Sequence, residues 1–274
     1  MHHNGCRMIK HLNKADLKIL AKILFLKIIA LIFLFIVRPP TTLITDAKFY
    51  YYLTLNPAEA FKPPESTITK NTFFKPIGWA LFLYLFYAIY PNWIFWALLF
   101  SFIFSTLTLY LLYKATNEKI MWLFFFYPYF LYHSNFPLEI SMFTFLIAFS
   151  FYYFKKNNFL SNLICNLSGF LRIEGILFSL YLLIKNFKIK NLFLFVSFSF
   201  ITLYTYGIFY LLVNYTTITP LVAYPRLFIP FLLVFLIEFK DFFTKHFWKI
   251  LIIWFIFGLT IGYFKVFYEW NILS

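Results

Sequence analysis

Long apolar runs at residues 17–37, 93–113, 138–154, 191–213 and 248–264 constrain this chain more than any other feature. Each reaches or approaches the roughly 20 residues that a helix rising 1.5 Å per residue needs to cross a ~30 Å hydrocarbon core. Shorter runs at 77–90, 120–133 and 226–238, the last containing Pro230, extend about 14 residues, or roughly 21 Å. They read as tilted, broken or interfacial helices. A further segment, 159–184, is long enough for one span but holds Arg172 and Glu174 near its middle. Composition leaves little room for a water-soluble alternative. The chain is 62% hydrophobic and 26% aromatic, with 10 acidic residues in 274, too little polar surface to cover a globule in water. The expected fold is all-α: one polytopic transmembrane helix bundle over residues 1–274, with about 8 to 9 membrane segments, some short, broken or interfacial.

The excess of 24 Lys and Arg over 10 Asp and Glu falls largely in short clusters between apolar runs. Clusters so placed hold loops on the cytoplasmic side against anionic headgroups, and they argue against nucleic acid as a partner. The cytoplasmic candidates are a basic tail over 1–16, the Lys155-Lys156 pair, the Lys185 to Lys190 loop and the Lys240 to Lys249 loop. This places the N-terminus in the cytoplasm and the 38–76 and 214–225 loops outside, in a multi-pass protein of the cell membrane. The segment 159–184 then starts and ends inside, which a shallow hairpin with Arg172 and Glu174 at its apex satisfies. The first run reads as a retained span, because no small-residue cleavage site precedes Arg38-Pro39-Pro40. Cys6 and Cys165 lie far apart and imply no disulfide framework.

Few ionisable residues lie near the outer ends of these runs. Such groups are costly at membrane depth, roughly 2.5 to 3.5 kcal/mol each, so they face a cavity or a partner and mark sites. Asp46 follows the first run in a polar stretch, with Tyr50 and Tyr51 close behind; Glu139, Arg172, Glu174 and Arg226 complete the set. For each there is a plainer reading. Asp46 is equally a solvated acid or a helix N-cap, and Glu139 equally a neutraliser of a helix dipole. Arg172 and Glu174, two residues apart, would on a regular helix point to different faces and need separate partners. Arg226 is equally a snorkelling cation.

The order of these motifs resembles that of the multi-span GT-C glycosyltransferases that use polyprenyl-phosphate sugars. The motifs are Asp46 with Tyr50 and Tyr51, Phe73-Phe74-Lys75-Pro76-Ile77, Tyr127-Pro128-Tyr129-Phe130 before Glu139, Gly169-Phe170-Leu171-Arg172-Ile173-Glu174-Gly175, and Tyr224-Pro225-Arg226-Leu227-Phe228-Ile229-Pro230. The chain is most similar to the branch of GPI-anchor mannosyltransferase-like and dolichyl-phosphate-mannose-type enzymes, over about residues 20–235. It departs from that pattern where Thr45, and not Trp, precedes Asp46.

The resemblance implies transfer of a sugar, mannose by inheritance, from a polyprenyl-phosphate donor to a lipid or glycan acceptor on the outer face. Asp46 is then the base of a single inverting displacement. Arg226, with Arg172 second, faces the leaving phosphate, Glu139 orients the acceptor or the base, and Glu174, Tyr50 and Tyr51 belong to the substrate site. No cofactor is expected: the acids are scattered singly, without an Asp-X-Asp pair or a His cluster for a divalent ion. A transporter for a small molecule or lipid and a non-catalytic membrane subunit are the competing classes.

Overall fold

The computed structural model describes residues 13–37, 45–56, 78–127, 130–131, 134, 138–172, 174–205 and 228–256. Every regular element among them is helical: α1 Lys14–Val37, α2 Thr45–Leu55, α3 Gly78–Tyr87, α4 Trp93–Ala115, α5 Glu118–Phe125, α6 Ile140–Tyr153, α7 Asn158–Ser168, α8 Gly175–Lys185, α9 Ile189–Thr205, α10 Phe228–Glu238, α11 Lys240–Lys245 and α12 Phe247–Ile256. By length and composition together, α4 is the one helix among the described residues able to cross a membrane. Its 23 residues extend about 35 Å.

Local chemistry sets the boundaries. Asn92, Asn117 and Asn157 cap α4, α5 and α7, each side chain accepting a hydrogen bond from the backbone N–H three residues on. Pro230 falls in the first turn of α10, where its missing N–H has no helical partner to lose. The 120–133 run does not form one helix: α5 ends at Phe125, and Ser134 and Leu138 lie in a turn and a bend before α6. The 38–76 stretch is not wholly a loop, because α2 occupies Thr45–Leu55 and takes Asp46 into its first turn.

Helix α4 is the centre of the bundle and packs most extensively on α6. An aromatic ladder joins three helices: Phe82 of α3 meets Phe100 and Phe104 of α4, and Phe104 stacks on Phe145 of α6, at centroid distances of 4.8, 5.7 and 5.3 Å. Much of the Phe and Tyr excess is therefore packing between helices. Around a largely apolar core, small polar side chains are also buried and many large apolar ones face outward. Ser101, Ser105, Thr108, Thr144, Ser150, Asn162 and Asn166 are buried, whereas Phe25, Ile29, Ile32, Leu177, Phe193 and Phe200 are exposed. Buried hydroxyls are satisfied within the helices, as where Ser105, Thr108, Thr144 and Ser150 donate to carbonyls four residues back.

The expected hairpin is present. Helices α7 and α8 pack on each other, and the side-chain amide of Asn191, at the start of α9, donates to Asn158 Oδ1 at 3.0 Å and the Asn186 carbonyl at 3.5 Å. The start of α7 and the end of α8 therefore lie together, leaving residues 169–174 as the apex. Toward the opposite end of α4, the Trp93 indole donates to Thr54 of α2 at 3.0 Å. At its C-terminal end Lys114 donates to both carboxylate oxygens of Asp16, at 3.0 and 2.9 Å.

Candidate functional site

The apex of the hairpin owes its shape to its two glycines. A Cβ on Gly175 would stand 2.5 Å from the Gly169 nitrogen and 2.6 Å from Ser168 Oγ, so the chain closes on itself only with glycine there. The Leu171 and Arg172 N–H groups donate to the Ser168 carbonyl, both at 3.0 Å, and Gly175 N–H donates to the Arg172 carbonyl at 2.9 Å. A third glycine brings in another motif: Gly78 N–H, opening α3, donates to the Phe170 carbonyl at 3.0 Å. A Cβ on Gly78 would approach that oxygen to 2.6 Å. The segment after Pro76 thus docks directly on the apex that carries Arg172.

This turn corrects one expectation. Arg172 and Glu174 do not lie on a regular helix with separate partners; the break between the glycines turns both side chains to each other. Arg172 Nη2 meets Glu174 Oε1 at 2.9 Å and Nε meets Oε2 at 3.3 Å, a two-point contact. The remaining arm, Nη1, reaches Glu139 Oε1 at 2.6 Å. The three side chains are 11%, 9% and 4% exposed respectively. Glu139 and Glu174 are the residues immediately before α6 and α8, yet neither side chain caps its own helix. Two helix N-termini and one guanidinium therefore converge on two carboxylates in a dry setting. Glu139 Oε2 is buried and has no hydrogen-bond partner among the described residues.

Tyr50 of α2 is 1% exposed and lies within electrostatic reach of the Arg172 guanidinium. Tyr51, on another face of the same helix, is 38% exposed and packs edge-on against Trp93 at 5.8 Å. Asp46 lies one helical turn before Tyr50; its side chain, Arg226 and the Phe73 to Ile77 segment lie outside the described residues. Of the expected site residues, then, Glu139, Arg172, Glu174 and Tyr50 are brought together, and Tyr51 turns away toward Trp93. Among the described residues no group of three or more His, Cys, Asp or Glu side chains is arranged to hold a metal ion.

The expected set omits Lys27. It lies deepest of the three lysines in the first apolar run, with ten apolar residues after it, and that depth is the signal. It is 1% exposed and donates to Ser105 and Ser134. No family model matches the chain, and neither a curated protein nor a solved structure does.

Proposed function

We propose that the protein is a polytopic membrane glycosyltransferase of GT-C type. In this reading it moves a sugar, mannose first, from a polyprenyl-phosphate donor to a hydroxyl of a lipid or glycan on the outer face. What supports it is the buried Glu139–Arg172–Glu174 group beside Tyr50, which gathers dispersed motifs at one place next to the helix that contains Asp46. A charged group of this kind in a bundle that exposes apolar side chains fits an interior site opening toward lipid.

The Asp46 carboxylate takes the proton of the acceptor hydroxyl as its oxygen bonds to the anomeric carbon. The bond from that carbon to the phosphate oxygen breaks on the opposite face, and polyprenyl phosphate departs with inverted configuration at the sugar. Phosphate leaves as an anion, so no second carboxylate is needed as an acid, unlike glycoside hydrolysis. Arg172 is already bridged by two carboxylates, so its charge is compensated and the phosphate falls to Arg226. The open Oε2 of Glu139 orients an acceptor hydroxyl. Tyr51, exposed against Trp93, offers a ring for the sugar. The donor's prenyl chain lies along the lipid-facing side of the bundle, the N-terminus is cytoplasmic, and the displacement draws on the chain's own side chains.

The test is transfer of radiolabelled sugar from polyprenyl-phosphate-mannose and polyprenyl-phosphate-glucose to lipid and glycan fractions, by wild type and Asp46→Asn, with magnesium and with a chelator. Transfer by wild type that falls about 10²-fold or more in the variant, with folded protein retained, is the expected result. Equal transfer by both removes Asp46 from the mechanism. Transfer by neither, across a panel of acceptors, removes the glycosyltransferase reading and leaves a transporter or a non-catalytic subunit.

A further inference from the structure

Helix α1 carries a lysine amine into the interior that the proposed transfer does not use. Lys27 Nζ donates to Ser105 Oγ at 2.5 Å and Ser134 Oγ at 3.2 Å, and it faces the rings of Phe102 and Phe130 at 5.5 and 5.9 Å. Ser105 is near the midpoint of α4, so this amine lies far from either end of the bundle. No carboxylate among the described residues pairs with it. A lysine so placed is costly, and its two hydroxyl acceptors come from different parts of the chain.

Ser134 lies in a turn after the helical residues 130–131 and ahead of Glu139. Its N–H donates to the Phe130 carbonyl at 2.9 Å, closing a single turn. Its carbonyl lies 3.4 Å from Ser105 Oγ, whose proton goes to the Ser101 carbonyl, and farther along the connection the Leu138 carbonyl accepts from Ser101 Oγ at 3.5 Å. One lysine from α1 and one serine from α4 thus fasten the connection at Ser134 and Leu138, directly before the carboxylate that meets Arg172. The amine's donors are directed at two hydroxyls, with two aromatic faces alongside, so its chemistry here is to hold a segment and not to bind an anion.

We propose that Lys27 is a positioning residue for Glu139: it pins the broken-helix connection at Ser134 so that Glu139 reaches Arg172. The proposal stands on geometry, and only its kinetic arm rests on the glycosyl-transfer reading. In nanodiscs, hydrogen–deuterium exchange is followed at the amides between Phe130 and Glu139 in wild type, Lys27→Met, Ser134→Ala and the relocated pair K27S/S134K. Losing the hydroxyl's buried partner is expected to speed exchange there about tenfold, with α7, α8 and α9 unchanged. The relocated pair is expected to restore slow exchange. Ser134→Ala keeps the lysine bonded to Ser105 and so tests the same link should Lys27→Met fail to fold.

Unchanged exchange at 130–139 in Ser134→Ala, or an equal rise throughout the bundle, overturns the proposal. In the kinetic arm, Lys27→Met is expected to lower kcat about tenfold at unchanged KM for polyprenyl-phosphate-mannose, with recovery in the relocated pair. A wild type without transfer removes the glycosyl-transfer reading, and the exchange data still decide the role of Lys27.

Discussion

Arg172 is the side chain on which the interior depends, because it alone among the described residues lies between two buried carboxylates. Arg172→Met leaves both acids facing each other in a dry setting, and its expected cost is about 3 to 5 kcal/mol. Thermal unfolding in detergent measures this, and the triple variant Arg172→Met, Glu139→Gln, Glu174→Gln should recover much of the loss, since its charges vanish together. A failure of the triple variant to recover would mean that packing, and not charge, decides the cost. Gly175→Ala tests the apex separately: a Cβ at 2.5 Å from the Gly169 nitrogen must displace backbone, with an expected loss of about 1 to 3 kcal/mol. The sequence singled out Glu139, Arg172 and Glu174 because ionisable residues are rare in apolar runs. It misjudged their partners, because side-chain spacing on a helix has no meaning where two glycines break the helix.

Among the elements, α1 is tied through Lys22, in its third turn, to Glu118 at the start of α5, at 2.8 Å. The hydrogen bond from Lys22, with a smaller one from the Trp122 indole, outweighs partial burial and holds the Glu118 carboxyl below its ordinary value. A lowered folded value means that the stabilisation is complete above the unfolded carboxyl value of about 4.3 and is lost as pH falls through the folded one. The pair is 44% and 40% exposed, so solvent screening limits it to well under ~1 kcal/mol. Lys22→Met should therefore lower Tm slightly at pH 7 and not at all near pH 3, in melts of both proteins at each pH. Helix positions were largely legible, since apolar runs give α3, α4, α6 and α10 close to their observed bounds and the starts of α9 and α12, the ends of whose runs lie outside the described residues. The break after Phe125 has its signal in Pro128, which offers no N–H to the carbonyl four residues back and disfavours helix at Tyr127.

For the molecule as a whole, the contacts gather the basic connections at one end. Asp16 pairs with Lys114, Lys185 with Glu238, and Asn117 donates to Thr244, so the ends of α4, α8 and α10 and helix α11 share that end with the start of α1. Asn92 and Trp93 lie at the other end of α4. With Cys6 replaced by serine, cysteines placed at Asn92 and at Lys155 should differ in sealed vesicles: a membrane-impermeant maleimide labels the first from outside and the second only after permeabilisation. Cys165 is buried and should stay unlabelled in both. Labelling of both positions from the same side would rule out a bundle that crosses the bilayer with these ends opposed.

The sequence by itself determined the helical class and the scarcity of charge within apolar runs, because hydropathy and run length are local properties that survive without knowledge of neighbours. It also located the acids and the arginine of the interior group by their rarity. Only the tertiary structure decided that one guanidinium joins both acids, that Gly78 docks on the Phe170 turn, and that Lys27 grips Ser134. Each of these is a meeting of residues remote along the chain, and glycine, serine and a single lysine carry no signal of the surface they will meet until the helices pack.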